Sequence, residues 1–324
     1  MSHRPLRVVF MGSPEFSIPC LKAIAQDPDF EVAAVYSMPD KPKGRGKTLS
    51  PTPIKETAIK YGYEVRTPSS FKKEPEEIEV LKSYKPDFLV VVAYGLILPQ
   101  AVLDIPTIAP INLHASLLPK YRGAAPMQYA LLNGDKETGN TVMLMSKGMD
   151  EGDILAAEKL PIKEDDDLES IHDALSAMGA PLLTKTLKAF ADGIIKPVPQ
   201  EHEKATYTSK VDSETARIDW QKPAESIRNQ IHAMSPFPGA WFNDEKERIK
   251  VFRAHVNHTK SSLPYGQVLK QDEEGISVVC GDSEILVMTE LQRAGKNRMK
   301  VSDFLRGHKL STVSLISKLD GETK

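Results

Sequence analysis

Three short apolar runs constrain this chain more than any other feature: RVVFM (7–11), EVAAVYS (31–37) and DFLVVVA (87–93). Each is continuous rather than alternating, which is the pattern of a strand buried on both faces. After the first comes the turn GSP, then Glu15 to Gln26, where Phe16, Ile18, Leu21 and Ile24 recur at helical spacing. The beat repeats with PIKETAIKY (53–61), whose Pro53 is acceptable in a first helical turn, with YEV (63–65) as a short strand, and with PEEIEVLKSY (75–84) as a helix. Such alternation predicts an α/β fold built on a doubly wound, mostly parallel, Rossmann-like sheet.

Further strands are expected at INLHA (111–115), TVMLMS (141–146) and DILAAEK (153–159), with a helix from Pro126 to Asn133. Asp167 to Ala191 reads as a long helix that Gly179 and Pro181 are expected to kink. After ADGIIKPVPQ the pattern changes. Residues 197–219 read as a linker between a first domain, 1–196, and a second, 220–324. The second opens with a helix at PAESIRNQIHAM (223–234) and continues in short stretches such as RIKVFRA, GQVLK, GISVVC and EILVMTE, which predict a small β-barrel resembling the OB fold. A length of 324 residues suits two domains.

No apolar run approaches the length that crosses a membrane, and the first residues offer too short an apolar stretch for a signal peptide, so a cytoplasmic protein is expected. Cys20 and Cys280 lie far apart without a CxxC or histidine-spaced partner; both are expected to be buried thiols, and no metal site is suggested. Net charge is only −2, yet two zones are basic. DKPKGRGK (40–47) sets Lys41, Lys43, Arg45 and Lys47 against one acid, and residues 291–309 set six Lys or Arg against Asp303 alone. The pairing points to an anionic partner.

A first turn reading MGSPEF lacks the GxGxxG fingerprint of dinucleotide binding, and GRGKT (44–48) has Lys41 where a P-loop needs its first Gly. The loop SMPDKPKGRGKTLSPTP (37–53) is too long to be a simple connection, and its four cations at a sheet edge suit a phosphodiester or an acceptor stem. In INLHA, Asn112 and His114 are two apart and so leave the same face of a strand, with Ile111 and Leu113 on the core side. An amide donor beside an imidazole suits an oxygen that becomes negative during reaction. In SKGMDEGDILAAE (146–158), Asp150 and Asp153 occupy a Gly-bounded turn between two strands, where a carboxylate can orient His114. The same two aspartates also suit a purely turn-building role, Asp153 more so.

NLHASLLPKYRGAAP (112–126) followed by GMDEGD (148–153) resembles the folate-dependent formyltransferases, over nearly the whole chain. PDKPKGRGKTLSPTPIK, HAMSPFPGAWF and GKNRMKVSDFLRG resemble the members of that family whose acceptor is a tRNA. The resemblance implies 10-formyltetrahydrofolate as formyl donor, the α-amine of methionyl initiator tRNA as acceptor, no metal, no membrane partner and a monomer. It puts Asn112, His114 and Asp150 on the catalytic trio. Ser116, Leu117, Leu118 and Pro119 fall on the folate-contacting loop, with Tyr94 and Gly95 where the pteridine lies. Phe16 and the turn Met11 to Pro14 become candidates for the methionine side chain, and Lys43, Arg45 and Lys47 for the end of the acceptor stem. Lys43 stands where the family commonly has Ala, and Lys120 where it often has Arg; both keep or add positive charge.

Other readings compete. A formyltransferase acting on a UDP-linked amino sugar would share the trio but has no use for the basic loop. A glycinamide ribonucleotide formyltransferase would lack residues 200–324. A non-catalytic RNA-binding protein would leave the trio unexplained, and a dehydrogenase lacks its glycine fingerprint.

Overall fold

The computed structural model describes residues 4–43, 48–245 and 247–310. By contacts the chain forms two compact units: the first takes in the chain up to Ala124, Thr138–Leu160 and His172–Thr208; the second takes Ala125–Glu137, Pro161–Ile171 and the chain from Ser209.

The first unit is built on a seven-stranded sheet. Its strands are β1 (Leu6–Gly12), β2 (Phe30–Tyr36), β3 (Val65–Arg66), β4 (Phe88–Val92), β5 (Ala109–His114), β6 (Glu137–Leu144) and β7 (Ile154–Pro161), in the order β7-β6-β5-β4-β1-β2-β3. From β3 to β5 the pairing is parallel; β6 joins β5 antiparallel. Every residue of β4 is buried, as its unbroken FLVVV run requires of a central strand, and each such side chain contributes roughly 1.5–3 kcal/mol through burial. The sheet is thus α/β and mostly parallel, as expected.

Helices α1 (Ile18–Gln26), α2 (Pro53–Lys60) and α3 (Glu76–Ser83) follow β1, β2 and β3. The start of α2 is defined locally: Thr52 Oγ1 accepts from Lys55 N at 3.1 Å, and Pro53 fills the first turn. The chain bends tightly between β1 and α1, where Ser17 Oγ donates to Val92 O at 2.6 Å. A Cβ on Gly12 would lie 2.9 Å from both Val92 O and Ser17 Cβ, so only glycine lets this turn sit on the end of β4.

The second unit contains α4 (Pro126–Leu132), the start of α5 (Leu168–Ala191), α6 (Ala224–Ala233), an antiparallel sheet and α7 (Val301–Gly307). Its strands are β8 (Ala240–Asp244), β9 (Glu247–Asn257), β10 (Val268–Asp272), β11 (Gly275–Val279) and β12 (Ile285–Arg293), ordered β8-β9-β12-β11-β10. Trp220, Ile227, Ile231, Trp241, Ile249 and Leu286 are among the residues of its core. A domain of short antiparallel strands thus follows the α/β unit, as the sequence pattern indicates. Helix α5 runs from Leu168 to Ala191 with Pro181 inside it.

Two expectations meet a different local structure. The first half of the expected linker belongs to the first unit: Val198 bridges Ile154, and Tyr207–Thr208 pairs in parallel with Arg122–Gly123. Main-chain hydrogen bonds formed with a distant segment are what composition alone does not reveal. The long basic loop forms hairpin arms, Lys41–Lys43 against Thr48–Ser50.

Both cysteines are buried, and burial pushes each thiol up to about 12. Among the described residues no helix is long and apolar enough to cross a membrane.

Replacing Gly12 with Ala is expected to lower stability by about 1–3 kcal/mol, the usual penalty of overpacking, because the new methyl meets main chain that cannot retreat. Urea unfolding measures it; a change under about 0.5 kcal/mol would mean that β1 and β4 yield easily at their ends.

Candidate active site

Strand β5 lies between a parallel and an antiparallel neighbour, with Asn112 paired to Val91 on one side and Met143 on the other. Ile111 and Leu113 are buried in the core, and Asn112 and His114 project from the opposite face. His114 is only 7% exposed, and its Nε2 lies 2.9 Å from the carbonyl of Tyr121. A carbonyl can only accept, so Nε2 carries hydrogen; in the neutral ring Nδ1 then keeps its lone pair. Nδ1 faces Asp150 Oδ2 at 3.7 Å, beyond hydrogen-bonding distance.

Asp150 sits in the loop between β6 and β7 with φ 50°. Its Oδ2 accepts from Gly123 N at 2.7 Å, and its Oδ1 lies 3.5 Å from Asn112 Nδ2. The trio expected from the sequence is therefore brought together. Asp153 contributes main chain instead, its carbonyl accepting from Leu144 N at 2.9 Å. Gly152 is demanded by closeness: a Cβ there would stand 1.8 Å from Leu144 O. Ala93, Tyr121 and Asp150, which follow β4, β5 and β6, all have left-handed backbones. Such non-glycine residues each store about 1–3 kcal/mol of strain, and they cluster where function requires a fixed geometry.

The Ser116–Pro119 loop is held firmly. Thr141 Oγ1 donates to Ser116 O at 2.7 Å and accepts from Leu118 N at 3.1 Å, while Ser116 Oγ donates to Lys120 O at 2.6 Å. Leu117 packs over Gly139. Tyr94 and Gly95 follow β4, and Ser13 Oγ donates to Tyr94 O at 2.7 Å, so the turn after β1 borders this end of the sheet. The Tyr94 ring itself belongs to the core: its hydroxyl is buried without a hydrogen bond, and burial raises its pKa. Phe16 is 4% exposed, with its ring edge-on to His172 at 5.4 Å and its carbonyl accepting from Ser176 Oγ. It is not gathered with the trio by any hydrogen bond or ring contact among the described residues.

Lys43 closes the hairpin ladder opposite Thr48, and Arg45 and Lys47 lie outside the described residues. Asp40, the segment's one acid, is engaged by Lys55 at 2.8 Å. The basic zone of the second unit is less free than its composition implies. Arg293 pairs with Glu247, Arg298 with Glu290 and Arg306 with Asp303, which leaves Lys296, Lys300 and Lys309 without a carboxylate among the described residues. No group of three or more His, Cys, Asp or Glu side chains that could hold a metal ion occurs among the described residues.

A doubly wound sheet whose carboxyl edge gathers Asn, His and Asp beside a rigid Ser-Leu-Leu-Pro loop matches the formyl transferase model over residues 6–187 and the formyl transferase C-terminal domain model over 210–309. This chain belongs to the formyl transferase family. It is 44% identical over 311 residues to the methionyl-tRNA formyltransferase of Clostridium novyi, covering 96% of this chain and 100% of that one. With the methionyl-tRNA formyltransferase of Bacillus velezensis it shares 42% over 316 residues, 98% of this chain and 99% of that one. Among solved structures, the N-formyltransferase of Helicobacter canadensis with folinic acid and dTDP-3-aminofucose aligns over 89% of this chain and 99% of its own, with a TM-score of 0.66 and 20% identity. The sugar 3N-formyl transferase WlaRD aligns over 91% and 100%, with a TM-score of 0.64 and 19% identity.

Nitrogen-resolved NMR of labelled histidine is expected to show the neutral form of His114 as the Nε2–H tautomer, since the Tyr121 carbonyl requires a donor. A Nδ1–H tautomer would contradict the placement of that ring.

Proposed function

We propose that this chain transfers the formyl group of 10-formyltetrahydrofolate to the α-amino group of methionyl initiator tRNA. The observation that carries the reading is the convergence of Asn112, His114 and Asp150 in a chain 44% identical, almost end to end, to a methionyl-tRNA formyltransferase.

The main chain at the end of β4, beside the trio, suits a flat ring with amide edges. Main chain runs irregularly from Ala93 to Pro99, with Ala93 and Gly95 at positive φ, and the 92%-exposed Ile97 offers apolar surface. Ser116 to Pro119, with the main chain of Tyr94 and Gly95, would hold the folate, which supplies the formyl carbon. Asn112 Nδ2 is an uncharged donor held only at 3.5 Å by Asp150, so its hydrogens are available to an oxygen gaining negative charge.

His114, in the tautomer that Tyr121 imposes, offers Nδ1 as a proton acceptor to the attacking nitrogen. Once protonated there, it becomes a donor that faces the Asp150 carboxylate, a charge-assisted contact, and it can return the proton to N10 of the folate as the bond from N10 to the formyl carbon breaks. An α-amine titrates near about 8 and lower beside an ester, so positioning matters more here than base strength. The turn Met11 to Pro14 borders the same end of the sheet and fits the methionine side chain; Phe16, packed against His172, fits as support behind it. The basic segment with Lys43, Arg45 and Lys47 would meet the end of the acceptor stem, and Lys296, Lys300 and Lys309 its phosphates.

A second reading, formyl transfer to a nucleotide-linked amino sugar, has support from structural neighbours at 19–20% identity, a level that speaks for fold. The basic hairpin favours tRNA. Labelled formyl transfer to methionyl initiator tRNA, run beside a UDP-linked amino sugar, decides between them. Wild type is expected to formylate the tRNA, and Asn112→Ala to lose at least about a hundredfold in kcat. Transfer to the sugar nucleotide alone would overturn the acceptor; transfer to neither would leave an RNA-binding protein as the better account.

A further inference from the structure

The trio leaves one costly feature of the first unit unexplained. Arg122 is 1% exposed, and each hydrogen bond of its guanidinium goes to a neutral acceptor. Nε and Nη2 donate to Gln200 Oε1 at 3.1 and 2.7 Å, Nη1 to the Tyr207 hydroxyl at 3.1 Å, and Nη2 also to His202 Nδ1 at 3.2 Å. Burying a cation with no carboxylate partner among the described residues is costly, so the arrangement asks for a reason.

The carboxamide of Gln200 supplies that reason. Gln200 is 5% exposed and uses all four of its hydrogen-bonding positions. Its oxygen takes two hydrogens from Arg122, and its nitrogen donates to Asp150 O at 2.9 Å and to Gly152 O at 2.7 Å. Those carbonyls belong to the left-handed residue of the trio and to the glycine two places on. We propose that Gln200 is a positioning residue for Asp150, transmitting the rigid fork of Arg122 to the loop so that the carboxylate stays aimed at Gly123 N, Asn112 and His114. The proposal rests on the role given to Asp150 in formyl transfer.

Only a carboxamide of this length does the work. Glu at this position would keep the Arg122 contact but turn acceptors towards two carbonyls; Asn would fall a methylene short; Ala would strand the arginine and both carbonyls. The same segment braces the other side of the site. Thr206 Oγ1 accepts from Tyr121 N and Thr206 O from Arg122 N, both at 2.8 Å, and the Tyr121 carbonyl in turn holds His114.

The test compares wild type, Gln200→Ala, Gln200→Glu, Asp150→Asn and the double variant Gln200→Ala/Asp150→Asn. Transfer to methionyl initiator tRNA is followed across pH, with thermal unfolding confirming that each protein folds. Each Gln200 variant is expected to lose about 10- to 100-fold in kcat with KM for the tRNA little changed, the size of effect that misplacing a reacting group produces. In the Asp150→Asn background the Gln200→Ala change is expected to add less than about twofold, because both act through one carboxylate. Hydrogen exchange of the peptide containing Gly123 is expected to speed up in Gln200→Ala, a readout independent of activity. Full activity of Gln200→Glu, additive losses in the double variant, or unchanged exchange at Gly123 would each overturn the proposal. Wild-type protein inactive towards the tRNA would instead sink the reading on which it rests, and the exchange measurement would still decide whether Gln200 fixes the loop.

Discussion

A parallel sheet stops pairing at its carboxyl edge, and the arrangement of this molecule's first unit follows from β5 ending there at His114. Beyond that point the chain must turn without a ladder partner, and it does so by borrowing acceptors: His114 takes the Tyr121 carbonyl, Ser116 takes that of Lys120, and Thr141 bridges Ser116 and Leu118. These bonds satisfy the polar groups of a tight loop and simultaneously remove its freedom. The cost of ordering is thereby met in folding rather than on binding, which is what a site that positions two substrates needs.

The electrostatics obey the same logic. Asp150 keeps its carboxylate close to His114 without a hydrogen bond, at 3.7 Å, while a main-chain N–H at 2.7 Å occupies the shared oxygen. A closer contact would commit the imidazole to one partner. In the proposed transfer, the gap would let Nδ1 serve an incoming nitrogen first and the carboxylate afterwards. Left-handed backbone at Ala93, Tyr121 and Asp150 marks the turns at this edge of the sheet.

Much of this was legible in the sequence, for physical reasons that differ by element. Continuous apolar runs such as that of β4 can only be central strands, and the two-residue spacing of Asn112 and His114 could only place both side chains on one face. Residue chemistry alone makes Asp150 one of two turn aspartates and only the family resemblance singles it out, because the left-handed backbone that separates it from Asp153 leaves no compositional mark. Tyr94 and Phe16 were singled out by position, yet their rings pack inwards, since nothing in a sequence says which way the last side chain of a strand or the first of a helix turns. Two of the three arginines of the C-terminal basic zone, Arg293 and Arg298, meet the strand carboxylates Glu247 and Glu290, and only the fold makes those acids neighbours.

The segment around Gln200 shows most clearly where local reading stops. Its prolines and charges describe a tether, and the residues that matter in it, Gln200 and Thr206, have no local pattern to betray them. Their importance arises from partners about fifty and eighty-five positions away, at separations of 50 for Gln200 with Asp150 and 85 for Thr206 with Tyr121. Closing such long intervals is entropically unfavourable, and the sheet offsets that cost by bringing β5 and the loop before β7 together. A carboxamide whose four hydrogen-bonding positions are all engaged then holds what the sheet has assembled. In this fold the strands decide where the reacting groups stand, and a segment that looks like a connection decides how still they stand.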